Sequence, residues 1–88
     1  MSETRDTRLR RLNMRSMRRG TKEMDILLMR YTAARLADLS DAELDAYEAL
    51  LDENDQDLYQ WISGQQPAPE PHKTMVAEIT RIAASGTV

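Results

Sequence analysis

Met24, Leu27, Leu28, Tyr31 and Ala34 recur at the three-and-four spacing of an α-helix. At 100° per residue they fall in a sector about 120° wide, the width of a stripe that packs one side of a helix onto a core. This pattern dominates the choice of fold. No stretch alternates cleanly with a period of two, few β-branched residues cluster and phenylalanine is absent, so strands have little support. The spacing predicts a helix over 24–34 within an all-α chain.

The flanking segments extend the same reading. Thr4 to Arg18 carries Leu9, Leu12, Met14 and Met17 among many arginines, a helical pattern with a ragged apolar face. Gly20 is a natural stop, because glycine enters the left-handed region after a helix at little cost. Ser40 and Glu43 have capping-box spacing, in which each side chain satisfies an otherwise orphaned N–H, so a third helix starts there. Leu44, Tyr47, Leu50 and Leu51 form its inward side. The run Asp52-Glu53-Asn54-Asp55 breaks the pattern and offers a new N-cap to a short helix with Leu58, Trp61 and Ile62, ending at Gly64.

Three prolines between Gln65 and Pro71 bar a continuing helix and predict an extended linker. A last helix is expected from about Glu70 or His72 to Ala84, with Met75, Val76, Ile79, Ile82 and Ala83 on one side. The expected architecture is a small bundle of about five helices. It forms a single domain over 1–88, with a flexible N-terminal start and the Pro-rich linker at 65–71.

Composition narrows the chemistry. Without cysteine there is no disulfide, thiolate zinc site or cysteine nucleophile, and the single histidine, His72, cannot build a multi-histidine metal site. His72 is expected to be exposed at a helix start. No nucleophile–base pair or Gly-rich phosphate loop is present, and 88 residues leave little room for an enclosed active site. The expectation is a non-enzyme with no metal and no cofactor of its own. It lacks an apolar run long enough for a secretory segment or a bilayer span, so a cytoplasmic protein without an integral membrane segment is expected.

Charge is unevenly spread. Residues 1–35 carry ten basic and four acidic side chains, and residues 36–88 carry two basic and eleven acidic ones. The asymmetry points to a charged partner. A nucleic acid is one alternative, since an Arg-rich helix before a glycine turn resembles a helix-turn-helix. The basic segment lacks aromatic stacking residues, however, and the acidic remainder repels a polyanion. The alternative kept beside the main reading below is a small basic-ended nucleic-acid-binding or regulatory module.

The most informative segment is Arg18-Arg19-Gly20-Thr21-Lys22-Glu23-Met24-Asp25. A glycine between two helices lets a partner backbone approach, Arg19 presents a rigid donor fork, and Glu23 presents a carboxylate near a helix N-terminus. From the residues alone the turn reads either as a probe for another protein or as a plain helix stop with solvated charges. Met14, Met17, Met24 and Met29 surround it, either as an adaptable interface or as core filling. Trp61 is expected chiefly in the core, with Asp57 and Trp61 as a secondary contact.

Arg19-Gly20-x-x-Glu23-x-Asp25, then Leu39-Ser40-Asp41, then Leu50-Leu51-Asp52 with Asp55-x-Asp57-Leu58-x-x-Trp61, resembles the SdhE family, also called succinate dehydrogenase assembly factor 2. The resemblance covers roughly residues 15–63. It departs at Met29, where many members have glycine, and at Gln56, where many have proline.

The resemblance implies a small helical factor that binds the flavoprotein subunit of succinate dehydrogenase and promotes covalent attachment of FAD to a client histidine; a transient partner surface in turn argues for a monomer. Fumarate reductase is implied as a second client. The client-binding surface it implies is Arg19, Gly20 and Glu23, flanked by Arg18, Met24 and Asp25.

Overall fold

The computed structural model describes residues 3–85, and the first four α-helices each begin where a side chain closes the first turn. Helix α1 (Arg5–Met17) starts at Thr4, whose hydroxyl accepts from the Thr7 N–H at 3.1 Å. Of the expected flexible start, Met1 and Ser2 lie outside the described residues. Helix α2 (Lys22–Arg35) is capped by Thr21, which accepts from the Met24 N–H, and runs into a 3-10 turn at Leu36–Asp38. Helix α3 (Asp41–Leu51) carries the expected capping box: the Ser40 hydroxyl accepts from the Glu43 N–H, and the Ser40 N–H donates to Glu43.

Helix α4 (Asp55–Ile62) opens at Asn54 and stops near Gly64, whose φ of +85° is the left-handed conformation that favours glycine. Helix α5 is Lys73–Ser85. Thr80 of α5 donates to the Ile62 carbonyl, and Arg30 of α2 donates to the Ala83 carbonyl, so late carbonyls of two helices find partners on neighbours. No strand occurs among the described residues.

Helix α2 lies between α1 and α5 and feeds Met24, Leu28 and Tyr31 into one connected core. Leu44, Tyr47, Leu50 and Leu51 enter from α3, Leu58 and Ile62 from α4, and Met75, Val76 and Ile79 from α5. The Tyr31 and Tyr47 rings meet at 5.5 Å with a 36° tilt. The ragged face of α1 has a specific cause: Ser16 sits in the core where an apolar residue would be expected. Its hydroxyl donates to the Leu12 carbonyl and lies 2.6 Å from the Tyr47 hydroxyl, so neither buried oxygen is orphaned. Burial pushes the Tyr47 hydroxyl up to about 12.

Two local expectations are corrected, at Ala34 and at His72. Ala34 is exposed, and the 3-10 turn brings Leu36 into the core instead. The segment 65–71 is held in place: Gln66 donates to the Gln60 carbonyl, and Ala68 packs against the core. His72 is buried, with 7% of its surface exposed, because the Pro69 carbonyl takes its N–H and turns the chain inward.

The uneven charge is largely neutralised inside the fold. Arg5 pairs with Asp41, Arg8 with Asp45, Arg11 with Glu48, Arg15 with Asp52 and Arg19 with Asp55. The partners are 36 or 37 residues apart throughout. A constant offset means that the arginine edge of α1 runs parallel to α3 and continues onto the start of α4. An exposed pair contributes only about 0.2–1 kcal/mol, so the ladder serves more to align these elements than to stabilise them greatly.

Candidate functional site

The ladder ends in the turn between α1 and α2, and its last rung shapes that turn. Arg19 Nε donates to Asp55 Oδ1 at 2.6 Å, while its two terminal nitrogens donate to the Leu51 and Glu53 carbonyls, each at 2.7 Å. A guanidinium suits this work because its planar fork reaches several acceptors at once. The other Asp55 oxygen accepts the Gly20 N–H, and the Arg19 N–H donates to Asp25 Oδ1 at 2.9 Å. The turn is thus fastened to the α3–α4 connection.

Gly20 is required here for a reason other than the one expected. It is not left-handed; Gly64 is the glycine with positive φ among the described residues. A Cβ on Gly20 would instead lie 2.5 Å from Asp55 Oδ2. That oxygen belongs to a carboxylate already fixed by Arg19, so any larger residue must disturb the clasp.

The other expected contact residues separate into two groups. Arg18 and Glu23 are exposed beside Gly20, Arg18 at the cap of α1 and Glu23 in the first turn of α2. Arg19 and Asp25 are partly buried in the clasp, and Met24 is fully buried in the core. Of the methionines near the turn, Met14, Met17 and Met29 are exposed, and Met17 and Met29 line a groove between α1 and α2 with Leu9, Ala33 and Leu36.

On the opposite side of the turn is a hollow of about 500 Å3. Thr21 and Glu23 form one wall, Asp55, Gln56, Tyr59 and Gln60 form the other, and Gln65 completes it. Tyr59 is 38% exposed. The side chains of Glu23 and Tyr59 have no hydrogen-bond or ion-pair partner among the described residues.

Trp61 is half-buried against the core, with its ring 5.8 Å from His72. His72 Nε2 lies 2.8 Å from Glu53 Oε2. Arg19 and His72 therefore grip the same α3–α4 connection from two sides. Asp57 is engaged in the N-cap of α4, its N–H donating to Asn54 Oδ1 and its carboxylate accepting from Asn54 Nδ2. Among the described residues no group of three or more His, Asp or Glu is placed to hold a metal ion, and no helix is long and apolar enough to cross a membrane.

Sequence reasoning missed Asp55 and Glu53 as the residues that build the turn from behind. The available signal was the matched spacing of arginines at 5, 8, 11, 15 and 19 with acids at 41, 45, 48, 52 and 55.

A family model described as the flavinator of succinate dehydrogenase matches residues 10–83, spanning the last three rungs of the ladder, the clasp and all five helices in part or whole. The chain belongs to that flavinator family. Its relatives include the proteins named succinate dehydrogenase assembly factor 2, mitochondrial, from Mycosarcoma maydis and Meyerozyma guilliermondii. The first is 43% identical over 68 residues, covering 77% of this chain and 29% of the relative. The second is 41% identical over 81 residues, covering 91% and 60%.

The Schizosaccharomyces pombe protein of the same name is 40% identical over 72 residues, covering 82% of this chain and 52% of its own length. The chain thus spans 60% or less of these flavinator-family relatives. Their names also correct the cytoplasmic expectation, because each is called mitochondrial. That expectation rested on the lack of a secretory segment, which does not discriminate against mitochondria.

Proposed function

We propose that this chain binds the flavoprotein subunit of succinate dehydrogenase and promotes covalent attachment of FAD to a histidine of that subunit. The observation that carries this reading is the flavinator-family match over residues 10–83, which contains the whole clasped turn. Fumarate reductase, a related flavoprotein, is a second client on the same reading.

The chain's own contribution is to bind and to position. FAD supplies the reactive flavin carbon, and the client supplies the histidine that bonds to it. The clasp keeps Gly20 slim and in place, with Arg18 and Glu23 exposed on either side as polar contacts. A factor that binds the client conformation holding flavin and histidine in attack geometry shifts the client's population by its differential affinity. Holding reactants in that geometry contributes about 7–11 kcal/mol to such a step. On this reading the chain is a binding factor, with no catalytic residue and no cofactor of its own.

The test is reconstitution. Purified flavoprotein subunit lacking covalent flavin is incubated with FAD, with and without this chain, then denatured and read for flavin fluorescence that stays with the polypeptide. A rate raised by the chain supports the reading. Equal rates, with no complex on co-purification, overturn it.

A further inference from the structure

We propose that the hollow between the first turn of α2 and the outer face of α4 receives a cationic side chain of the partner, an arginine in preference to a lysine. The hollow measures about 500 Å3, and no lysine or arginine lines it. The Glu23 carboxylate stands in its wall without an ion-pair partner among the described residues. Asp55, the second carboxylate, is already committed to Arg19 and Gly20. Glu23 is therefore the one acid in the wall with its acceptors free.

The rest of the lining matches one ligand chemistry. Tyr59 offers an exposed aromatic surface, which attracts a cation through the negative face of the ring. Gln56, Gln60 and Gln65 bring amide oxygens that accept hydrogen bonds without adding charge. An anion entering the hollow would meet Glu23 and Asp55. An apolar group would desolvate Glu23 and the glutamines without replacing their hydrogen bonds to water.

A guanidinium satisfies the whole set. Its plane stacks on Tyr59 while its edge donates to Glu23 and to a glutamine, whereas an ammonium is a compact charge that cannot stack and fork together. The partner's identity rests on the function proposed above; the chemistry of the hollow is read from its own residues.

The decisive measurement is an NMR titration of the full chain with N-acetyl-arginine amide, compared with N-acetyl-lysine amide and N-acetyl-glutamate amide. Saturable shifts are expected at Glu23, Tyr59 and Gln60 with the arginine probe in the millimolar range. The lysine probe should bind roughly tenfold more weakly, the equivalent of about one hydrogen bond, and the glutamate probe should leave these signals unmoved. Glu23→Gln should abolish the arginine response while leaving helical content by circular dichroism unchanged.

Absence of a saturable shift, or a response that survives in Glu23→Gln, overturns the cation site. In a parallel assay Glu23→Gln and Tyr59→Leu should each weaken binding to the flavoprotein subunit about tenfold. If the unaltered chain does not bind that subunit, the proposed function fails, while the titration still decides the chemistry of the hollow.

Discussion

Arg19 and Asp55 meet at 2.6 Å where α4 begins, and the second oxygen of the same carboxylate takes the Gly20 N–H. One residue pair therefore sets the backbone of the α1–α2 turn from the far side of the fold. Only 11% of the Arg19 side chain is exposed, so the most conspicuous donor of the signature is an internal brace. The faces left for a partner are the glycine edge, Arg18 and Glu23.

Arg19→Ala should consequently destabilise the isolated protein. The substitution removes three side-chain hydrogen bonds, at least one of them between full charges, and leaves Asp55 and two carbonyls short of a donor. A loss of about 3 kcal/mol is expected, allowing for non-additivity among bonds of about 1.5–3 kcal/mol. Urea unfolding followed by circular dichroism reads it directly. An unchanged midpoint would show that the guanidinium is not a brace. Arg19→Lys should recover only part of the loss, since one ammonium cannot reproduce the fork.

Gly20 offers a graded test of the same clasp. In Gly20→Ala the new Cβ meets Asp55 Oδ2 at 2.5 Å, and the Asp55 carboxylate must yield because the backbone around it is held by Arg19. A cost of about 1–2 kcal/mol is expected, within the range for local strain and a lost hydrogen bond. Gly20→Arg should keep its helical content and lose client binding, because its side chain occupies the only slim edge of the turn. A folded Gly20→Arg protein that supports full flavinylation would refute insertion of this edge into the client.

Acid should weaken the fold through the carboxylates that accept hydrogen bonds. Arg11, with Arg8, holds the Glu48 carboxyl below its ordinary value of 4.5, and the Ser40 N–H and hydroxyl do the same for Glu43. The folded chain therefore binds these protons less readily than the unfolded chain. Their stabilisation is complete above pH 4.5 and is lost as the pH falls through the lowered values. Glu48→Gln should flatten the acid limb of a stability–pH curve between pH 5 and 3. A limb as steep as that of the unaltered protein would place the acid sensitivity elsewhere.

The helices were legible because their signals are local. The stripe from Met24 to Tyr31, the Ser40–Glu43 box and the Asn54 cap each act within one or two turns, and each appears where the residues indicate. Ser16 went unread and His72 misled for the opposite reason: their partners, Tyr47 and Glu53, are 31 and 19 residues away. The candidate site had the same blind spot. Its motif located the turn, but a string of residues does not show that Arg19 faces inward or that Asp55 limits what Gly20 can become. Net charge misled most plainly, since two oppositely charged segments read as a demand for an outside partner until they are seen side by side.

That juxtaposition carries a prediction about nucleic acid. Arg8, Arg11 and Arg15 face Asp45, Glu48 and Asp52, so these three basic groups of α1 are already neutralised by carboxylates. The unaltered protein should not retard a short DNA duplex or single-stranded RNA even at low salt. Changing these three acids together with Glu3, the second carboxylate on Arg11, in Asp45→Asn, Glu48→Gln, Asp52→Asn and Glu3→Gln, frees three arginines along one edge of α1. Such a variant should gain weak, sequence-independent binding whose logarithm falls against log salt with a slope of about −2 to −3, as expected for three phosphate contacts. Retardation by the unaltered protein with that same steep slope would mean that the ladder opens to polyanions, and would restore the nucleic-acid reading of the basic segment.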